Sequence, residues 1–312
     1  MSILLGRENQ VVIQGITGKM GRFSVRDLRA YGTSVVAGVV PGRSGSEVEG
    51  VPVFSAVRDA VEATEANTAL VYVPPESALD AVIEAFEAGC RLVVYPGDGL
   101  PAQDAITMRS IARENGGTLV GPNTPGLISP GKAKLGFMPS SCYLPGAVGV
   151  ISRSGSLSYE VCRRLTEAGL GQSTVIGIGG DPIKGVTPAE ALLRFQEDPE
   201  TKAIVYVGEI GGTEEDEVAD FAARPGAKPV AALVVGKTAP PGKKMGHAGA
   251  LIGSHADTHE AKVARLREAG VATAALVTEL VTQARTALKR AEAAPTARPT
   301  PAGVGVAASE ST

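Results

Sequence analysis

The residue in this chain best suited to covalent chemistry is His247, within Ala239-Pro-Pro-Gly-Lys-Lys-Met-Gly-His-Ala-Gly-Ala-Leu-Ile-Gly253. The run is glycine-rich and places the imidazole beside Lys243 and Lys244, with no carboxylate for several residues. A neutral imidazole carries a free nitrogen that accepts a phosphoryl group directly. Gly246 and Gly249 let backbone amides approach an anion closely, and the lysines attract one. A second candidate is Glu209 in Val207-Gly-Glu-Ile-Gly-Gly-Thr-Glu-Glu-Asp216, just past a predicted buried strand, at the edge where ligands of parallel sheets collect. A carboxylate there can hold one ring nitrogen as N–H and leave the other as nucleophile. Glu214, Glu215 and Asp216 are expected to solvate a helix N-terminus.

Two further stretches are built for anions. In Gly149-Val-Ile-Ser-Arg-Ser-Gly-Ser-Leu-Ser-Tyr-Glu160 a strand breaks at Ser152 and a helix starts near Ser156, so Ser154 and Gly155 offer a hydroxyl and amides at a helix start. The Ser-Gly-Ser does not make a hydrolase elbow, because serine stands at 152 where GxSxG needs glycine. In Val11-Val-Ile-Gln-Gly-Ile-Thr-Gly-Lys-Met-Gly21 a strand runs through Gly15, Gly18 and Gly21 into a helix, which presents amides and a partial positive charge to phosphate. No acidic residue ends the next strand to hold a ribose: Val39 is followed by Val-Pro-Gly-Arg-Ser. That disfavours a nicotinamide cofactor, while Arg43 offers a cation to a phosphate-rich ligand such as coenzyme A. His255 and His259 are four apart with only Asp257 near them, too few ligands for a metal site.

These residues need a scaffold, and the apolar pattern supplies one. Short aliphatic runs at 10–14, 34–39, 68–73, 91–95 and 117–121 alternate with helical stretches at 22–31, 57–63, 77–88 and 104–115. The pattern predicts βαβ units and a Rossmann-like parallel sheet over residues 1–124. Residues 125–145, rich in Pro, Gly and Ser, read as a connection. From there strands at 147–152, 173–177, 203–207 and 230–235, with helices at 156–167, 188–196, 258–269 and 278–290, predict a second, flavodoxin-like open parallel sheet over 146–290. The α/β class therefore applies to both halves. Residues 291–312, Pro- and Ala-rich with almost no large apolar side chains, are expected to be a disordered tail.

Composition narrows the function. With 312 residues, 20% charged and a formal net charge of −3, the chain has room for two cores and no bias toward nucleic acid or an anionic membrane. Aromatic residues make up 4% and tryptophan is missing, which weakens any case for base stacking. Three cysteines, Cys90, Cys142 and Cys162, form no CxxC pair and fit reduced thiols. No signal-like or membrane-length apolar run occurs, so a soluble cytoplasmic protein is expected.

Five motifs occur in an order that resembles the α subunit of succinyl-CoA synthetase, also called succinate–CoA ligase. They are Gly-Pro-Asn at 121–123 followed by Pro-Gly, Ser-Arg-Ser-Gly-Ser-Leu-Ser-Tyr at 152–159, Gly-Ile-Gly-Gly-Asp-Pro at 177–182, Gly-Glu-Ile-Gly-Gly at 208–212 and Gly-His-Ala-Gly-Ala at 246–250. The resemblance spans Met1 to about Arg290. It implies a heteromeric ligase, a dimer or tetramer with a β subunit that holds ATP or GTP with magnesium. The implied reaction is succinate, coenzyme A and nucleoside triphosphate to succinyl-CoA, diphosphate and phosphate, within the tricarboxylic acid cycle, through an acyl phosphate and a phosphohistidine. On that likeness His247 is the phosphorylated histidine and Glu209 its orienting carboxylate. Thr17, Gly18, Lys19, Met20, Arg43, Pro96, Gly97 and Asp98 match coenzyme A contacts, Tyr159 a substrate contact, and Ser154 and Gly155 the helix start that receives phosphate.

The chain departs from the family pattern around binding. Arg43 replaces a lysine, Pro96-Gly97-Asp98 replaces Ile-Thr-Glu, Thr124 replaces a cysteine, and Gly253-Ser-His-Ala-Asp-Thr-His259 replaces a glycine-lysine-glycine-threonine-alanine stretch. Two alternatives follow: a paralogue using malate or another dicarboxylate, and a non-catalytic regulatory protein that binds coenzyme A.

Overall fold

The computed structural model describes residues 2–293. Its first half contains β1 (Gln10–Gln14), α1 (Lys19–Tyr31), β2 (Ser34–Val39), β3 (Glu47–Val48), β4 (Val51–Phe54), α2 (Val57–Thr64) and β5 (Thr68–Val71), then α3 (Pro75–Glu87), β6 (Leu92–Val94), α4 (Ala102–Glu114) and β7 (Thr118–Val120). Across the sheet the strands lie β3-β4-β2-β1-β5-β6-β7, with only the β3–β4 pair antiparallel. Setting β3 aside, the parallel strands follow the 3-2-1-4-5-6 order of a dinucleotide-binding sheet, whose order reverses between β1 and β5. Helices on both faces explain why every residue of β5 and β6 is buried.

The second half contains β8 (Gly126–Ser129), β9 (Ala133–Gly136), β10 (Pro145–Ser152), α5 (Gly155–Glu167), β11 (Gln172–Gly177), α6 (Pro188–Glu197) and β12 (Ala203–Glu209), then α7 (Glu214–Ala222), β13 (Val230–Val235), α8 (His259–Glu268), β14 (Ala272–Ala274) and α9 (Val277–Ala293). The sheet order is β14-β13-β12-β10-β11-β8-β9. Its parallel part, β11-β10-β12-β13-β14, is the 2-1-3-4-5 order of flavodoxin-like sheets, reversing between β10 and β12. Local chemistry supports the elements: Thr187 and Glu190 form a capping box at α6, and Ser154 caps α5 by accepting from the Leu157 amide at 3.4 Å.

Residues 125–145 are more than a connection. β8 and β9 form a hairpin that pairs antiparallel with β11, extending the second sheet. The Pro and Gly content is misleading because Gly126 and Gly136, at φ 101° and 87°, are where the two strands pack backbone against backbone, and Leu127, Ile128, Ala133 and Leu135 are buried. The short β3, β4 and β14 carry too few residues to show a period. α9 runs three residues beyond the expected end of its helix, and the rest of the expected tail lies outside the described residues.

The halves share one core. A single apolar cluster runs from Leu5, Ile13 and Leu28 through Leu127 and Leu135 to Ile151 and Ile204. Beside it, Lys134 of β9 lies 1% exposed, its ammonium 2.8 Å from Asp27 Oδ2 of α1 and 5.3 Å from the centre of the Tyr31 ring. Thr33 Oγ1 also donates to the Lys134 carbonyl at 3.0 Å. Because Asp27 is 31% exposed, its loss is expected to cost less than a fully buried partner would, about 2 kcal/mol. We expect Asp27→Ala to lower the urea midpoint accordingly without changing the m-value, as measured by equilibrium denaturation.

Candidate functional site

Each sheet has one crevice where its strand order reverses, and the candidate residues divide between the two. In the second sheet Glu209 ends β12, while Arg153 and Ser154 follow β10. The loop carrying His247 folds over this edge. It is closed by its own backbone bonds, Met245 N–H to Ala250 O at 2.9 Å and Ala250 N–H to His247 O at 3.2 Å, and tethered by Gly249 N–H to Gly180 O at 3.1 Å. His247 Nδ1 lies 2.8 Å from Glu209 Oε2. The imidazole rests on bare backbone: a Cβ at Gly180 would sit 2.5 Å from His247 Cγ.

Geometry and charge act together on this ring. With the ionised carboxylate accepting from Nδ1–H, the lone pair lies on Nε2. The hydrogen bond to Glu209 raises the imidazole above its ordinary pKa, against burial, which lowers it; Arg153 also lowers it and Asp181 raises it. The His247 side chain is 28% exposed, whereas Glu209 is 6% exposed.

A compact ion cluster lies beneath. Arg153, 1% exposed, has Nη2 3.1 Å from Glu209 Oε1, an ion-pair contact without hydrogen-bond alignment. Its Nη1 donates to Gly211 O at 2.9 Å and Glu209 O at 3.2 Å and approaches Glu214 Oε2 at 3.3 Å. Lys184 pairs with Glu214 at 2.6 Å, and Lys262 pairs with Glu215 while donating to Gly211 O and Gly212 O at 2.8 and 2.9 Å. Tyr206 donates its hydroxyl to Glu215 at 3.0 Å. Burial works to raise the Glu214 carboxyl, but Arg153 and Lys184 outweigh it and hold the group below the ordinary range. For the almost fully buried Glu215 burial prevails and its pKa goes up. The expectation that Glu214 and Glu215 solvate a helix N-terminus is therefore corrected: both open α7 but point inward to buried cations, and only Asp216 is at the surface.

The first sheet's crevice lies between Gln14 and Gly15, after β1, and Tyr72 and Val73, after β5. A cavity of about 610 Å³ there is lined by these residues with Thr17, Gly18, Val40, Pro41 and Ser77. A second cavity of about 350 Å³, lined by Met20, Pro96, Gly97, Asp98 and Phe137, shares the Tyr72 and Val73 wall. Gly15 adopts φ 75°, and a side chain there would run into the Tyr72 carbonyl. Thr17 and Gly18 thus line the larger cavity and Met20 and Pro96–Asp98 the smaller, with Tyr72 and Val73 common to both. Lys19 opens α1 at the surface, and Arg43, exposed beyond Pro41, lines neither cavity.

Tyr159 lies in the first half of α5. It packs on α5 against the cluster containing Ile128, Met138 and Tyr143, and burial raises its phenol. His255 sits in a single turn ahead of α8 and His259 begins α8, so the two do not share a helix face. Among the described residues no group of three or more His, Cys, Asp or Glu is placed to hold a metal ion. Sequence reasoning assigned no role to Arg153, Gly180, Lys184 or Lys262; a lone arginine closing the β10 strand was the one available signal. Thr124 takes a structural role, donating to the Gly177 carbonyl and accepting from the Gly126 amide at 2.9 Å.

Residues 7–96 match the CoA binding domain family and residues 151–272 the CoA-ligase family. A crevice domain for coenzyme A followed by a CoA-ligase domain defines an acid–thiol ligase. The chain is 49% identical over 289 residues to "Succinate--CoA ligase [ADP-forming] subunit alpha 1" of Archaeoglobus fulgidus, covering 93% of this chain and 99% of that one. It is 48% identical over 272 residues to the succinate–CoA ligase [ADP-forming] α subunit of Aquifex aeolicus, covering 86% of this chain and 89% of that one. The chain belongs to the family of succinate–CoA ligase α subunits. In fold it is similar to ATP citrate lyase from Methanothrix soehngenii, whose structure is in complex with citrate and coenzyme A. The TM-score is 0.86 at 22% identity, over 96% of this chain and 53% of that chain.

Because the ring lies against Gly180, a methyl group there must displace it. Gly180→Ala is expected to part His247 from Glu209 and return the imidazole toward its ordinary pKa, read as a downward shift in the pH dependence of His247 C2–H exchange by mass spectrometry.

Proposed function

We propose that this chain is the α subunit of a nucleoside-diphosphate-forming ligase that joins succinate, or a dicarboxylate close to it, to coenzyme A through an acyl phosphate and a phosphorylated His247. The observation that carries this reading is the 2.8 Å contact between His247 Nδ1 and Glu209 Oε2 at the second sheet's crevice, on a loop whose glycines permit movement. Glu209 holds the Nδ1 proton, so Nε2 carries the phosphoryl group. Toward thioester, the acid's carboxylate takes phosphorus as the N–P bond breaks, and the coenzyme A thiol, giving up its proton, then displaces phosphate from the acyl carbon. In reverse, Nε2 attacks phosphorus of the acyl phosphate and the acid leaves as carboxylate. Ser154 and Gly155, at the N-terminus of α5, receive the phosphoryl oxygens through free amides and the helix dipole. Thr17, Gly18, Met20 and Pro96 to Asp98 hold coenzyme A along the first crevice, Lys19 and Arg43 meet its phosphates from the surface outside, and Tyr159 contacts the acid.

The nucleotide and its magnesium belong to a β subunit in this reading, in a heterodimer or heterotetramer, and the site is placed in the cytoplasm within the tricarboxylic acid cycle. Among the described residues no helix is long and apolar enough to cross a membrane.

Incubation of the assembled complex with magnesium and γ-labelled ATP or GTP should place an acid-labile, base-stable phosphate on His247, and His247→Asn should abolish both label and thioester formation. A complex that turns over with no label, or a fully active His247→Asn complex, removes the relay. Thioester formation compared across succinate, malate and related dicarboxylates identifies the acid.

The pKa shift fixes the sign of the pH dependence. A protonated ring has no lone pair on Nε2, so phosphorylation is lost as pH falls through the raised His247 pKa. Glu209→Gln removes the charge that raises it. In stopped-flow phosphorylation the acid limb should move to lower pH, and the plateau rate should fall roughly 100-fold, within the span typical of a lost acid–base partner.

A further inference from the structure

We infer that Arg153 is the positioning residue of the histidine site: it fixes Glu209 from behind so that a single carboxylate oxygen faces His247. The inference rests on the relay proposed above and assigns a role to a side chain outside it. Glu209 is 6% exposed, and its two oxygens face opposite ways, Oε2 toward His247 at 2.8 Å and Oε1 toward Arg153 Nη2 at 3.1 Å. Arg153 also donates to the carbonyls of Glu209 and Gly211, the residues that lead out of β12. One guanidinium therefore holds the carboxylate and the backbone that carries it.

Planarity matters here. Guanidinium donors lie in a rigid fork, so contacts to a side chain and to two carbonyls are made together or lost together. The other end of the loop is tied to the same group: a Cβ at Gly249 would meet Arg153 Nη2 at 3.0 Å, and Gly211 stacks against the Gly249 carbonyl. Arg153 thus reads the position of the His247 loop as well as that of Glu209. Neither Arg153 Nε nor Nη2 has an aligned hydrogen-bond partner, although the side chain is 1% exposed. Nη2 is therefore held against the carboxylate by charge, and the guanidinium is kept in place by the hydrogen bonds of Nη1 to the backbone.

The charged groups around the imidazole are Glu209 at the end of β12, Arg153 after β10 and Asp181 after β11, with Lys243 and Lys244 of its own loop exposed. Arg153→Lys keeps the positive charge at the site but loses the fork. It therefore separates geometry from field, which Arg153→Met would not, since that change leaves three carboxylates facing two lysines and invites unfolding.

In the assembled complex we expect Arg153→Lys to lower the rate of His247 phosphorylation and kcat at least tenfold. The KM for coenzyme A should stay within twofold, because that crevice lies in the other sheet. His247 C2–H exchange, followed by mass spectrometry, should titrate at lower pH than in the wild type, since the Glu209 hydrogen bond that raises the ring is loosened while the cation stays. A folded Arg153→Lys complex whose phosphorylation rate and His247 titration both match the wild type overturns the assignment. If that variant does not assemble, Arg153→Gln with Glu214→Gln removes one charge of each sign and is judged by the same criteria. Failure of the relay itself is seen separately, as a wild-type complex that never labels His247. The His247 titration in the variant still decides whether Arg153 positions Glu209.

Discussion

Charge neutrality in a confined space governs the histidine crevice. Three cations, Arg153, Lys184 and Lys262, meet three carboxylates, Glu209, Glu214 and Glu215, nearly all out of contact with water. An isolated charge at that depth is costly, and a pair broken by removing one member costs about 3–5 kcal/mol. The cluster therefore persists as a unit, and its outermost member, Glu209, is presented at a fixed height to the one group that stays partly exposed, His247. Three buried carboxylates stabilise the cations, and only one of them also meets the imidazole.

Two sheets built on the same logic explain why a single chain carries two crevices. In each, neighbouring strands leave in opposite directions at the point where the order reverses, and the connections part to expose strand ends and helix N-termini. The first opening, between β1 and β5, is long, apolar and floored by glycine. The second, between β10 and β12, is short and ionic. The common apolar core and the Lys134–Asp27 pair keep the two openings in a fixed relation.

Much of this was legible in the sequence because periodic elements announce themselves. β1, β2 and β13 fall where the aliphatic runs place them, and the helices differ by a few residues at their ends, where caps rather than apolar period decide. His247 and Glu209, 38 residues apart, were paired by chemistry, and the fold brings them into contact. What the sequence hid was long-range or disguised. The β8–β9 hairpin carries linker-like composition because two glycines let the strands touch. Glu214 and Glu215 looked like solvated acids at a helix start, since the cations that bury them, Arg153, Lys184 and Lys262, come from three other segments. Tyr159 could be placed on a helix from its spacing, but which side of that helix meets the apolar cluster depends on packing.

Thr124 carries a further consequence. Its hydroxyl ties the loop after the first sheet to the end of β11, a task a thiol performs poorly because sulfur is the weaker hydrogen-bonding atom. Of the three cysteines, Cys90 and Cys162 are buried and Cys142 is half-buried against the Tyr143 cluster. Thr124 itself is buried and lines neither cavity of the first crevice, so it serves as a joint between the two sheets. A hydroxyl is also inert to the oxidants that convert a thiol to sulfenic acid, so this joint holds whatever the redox state around it.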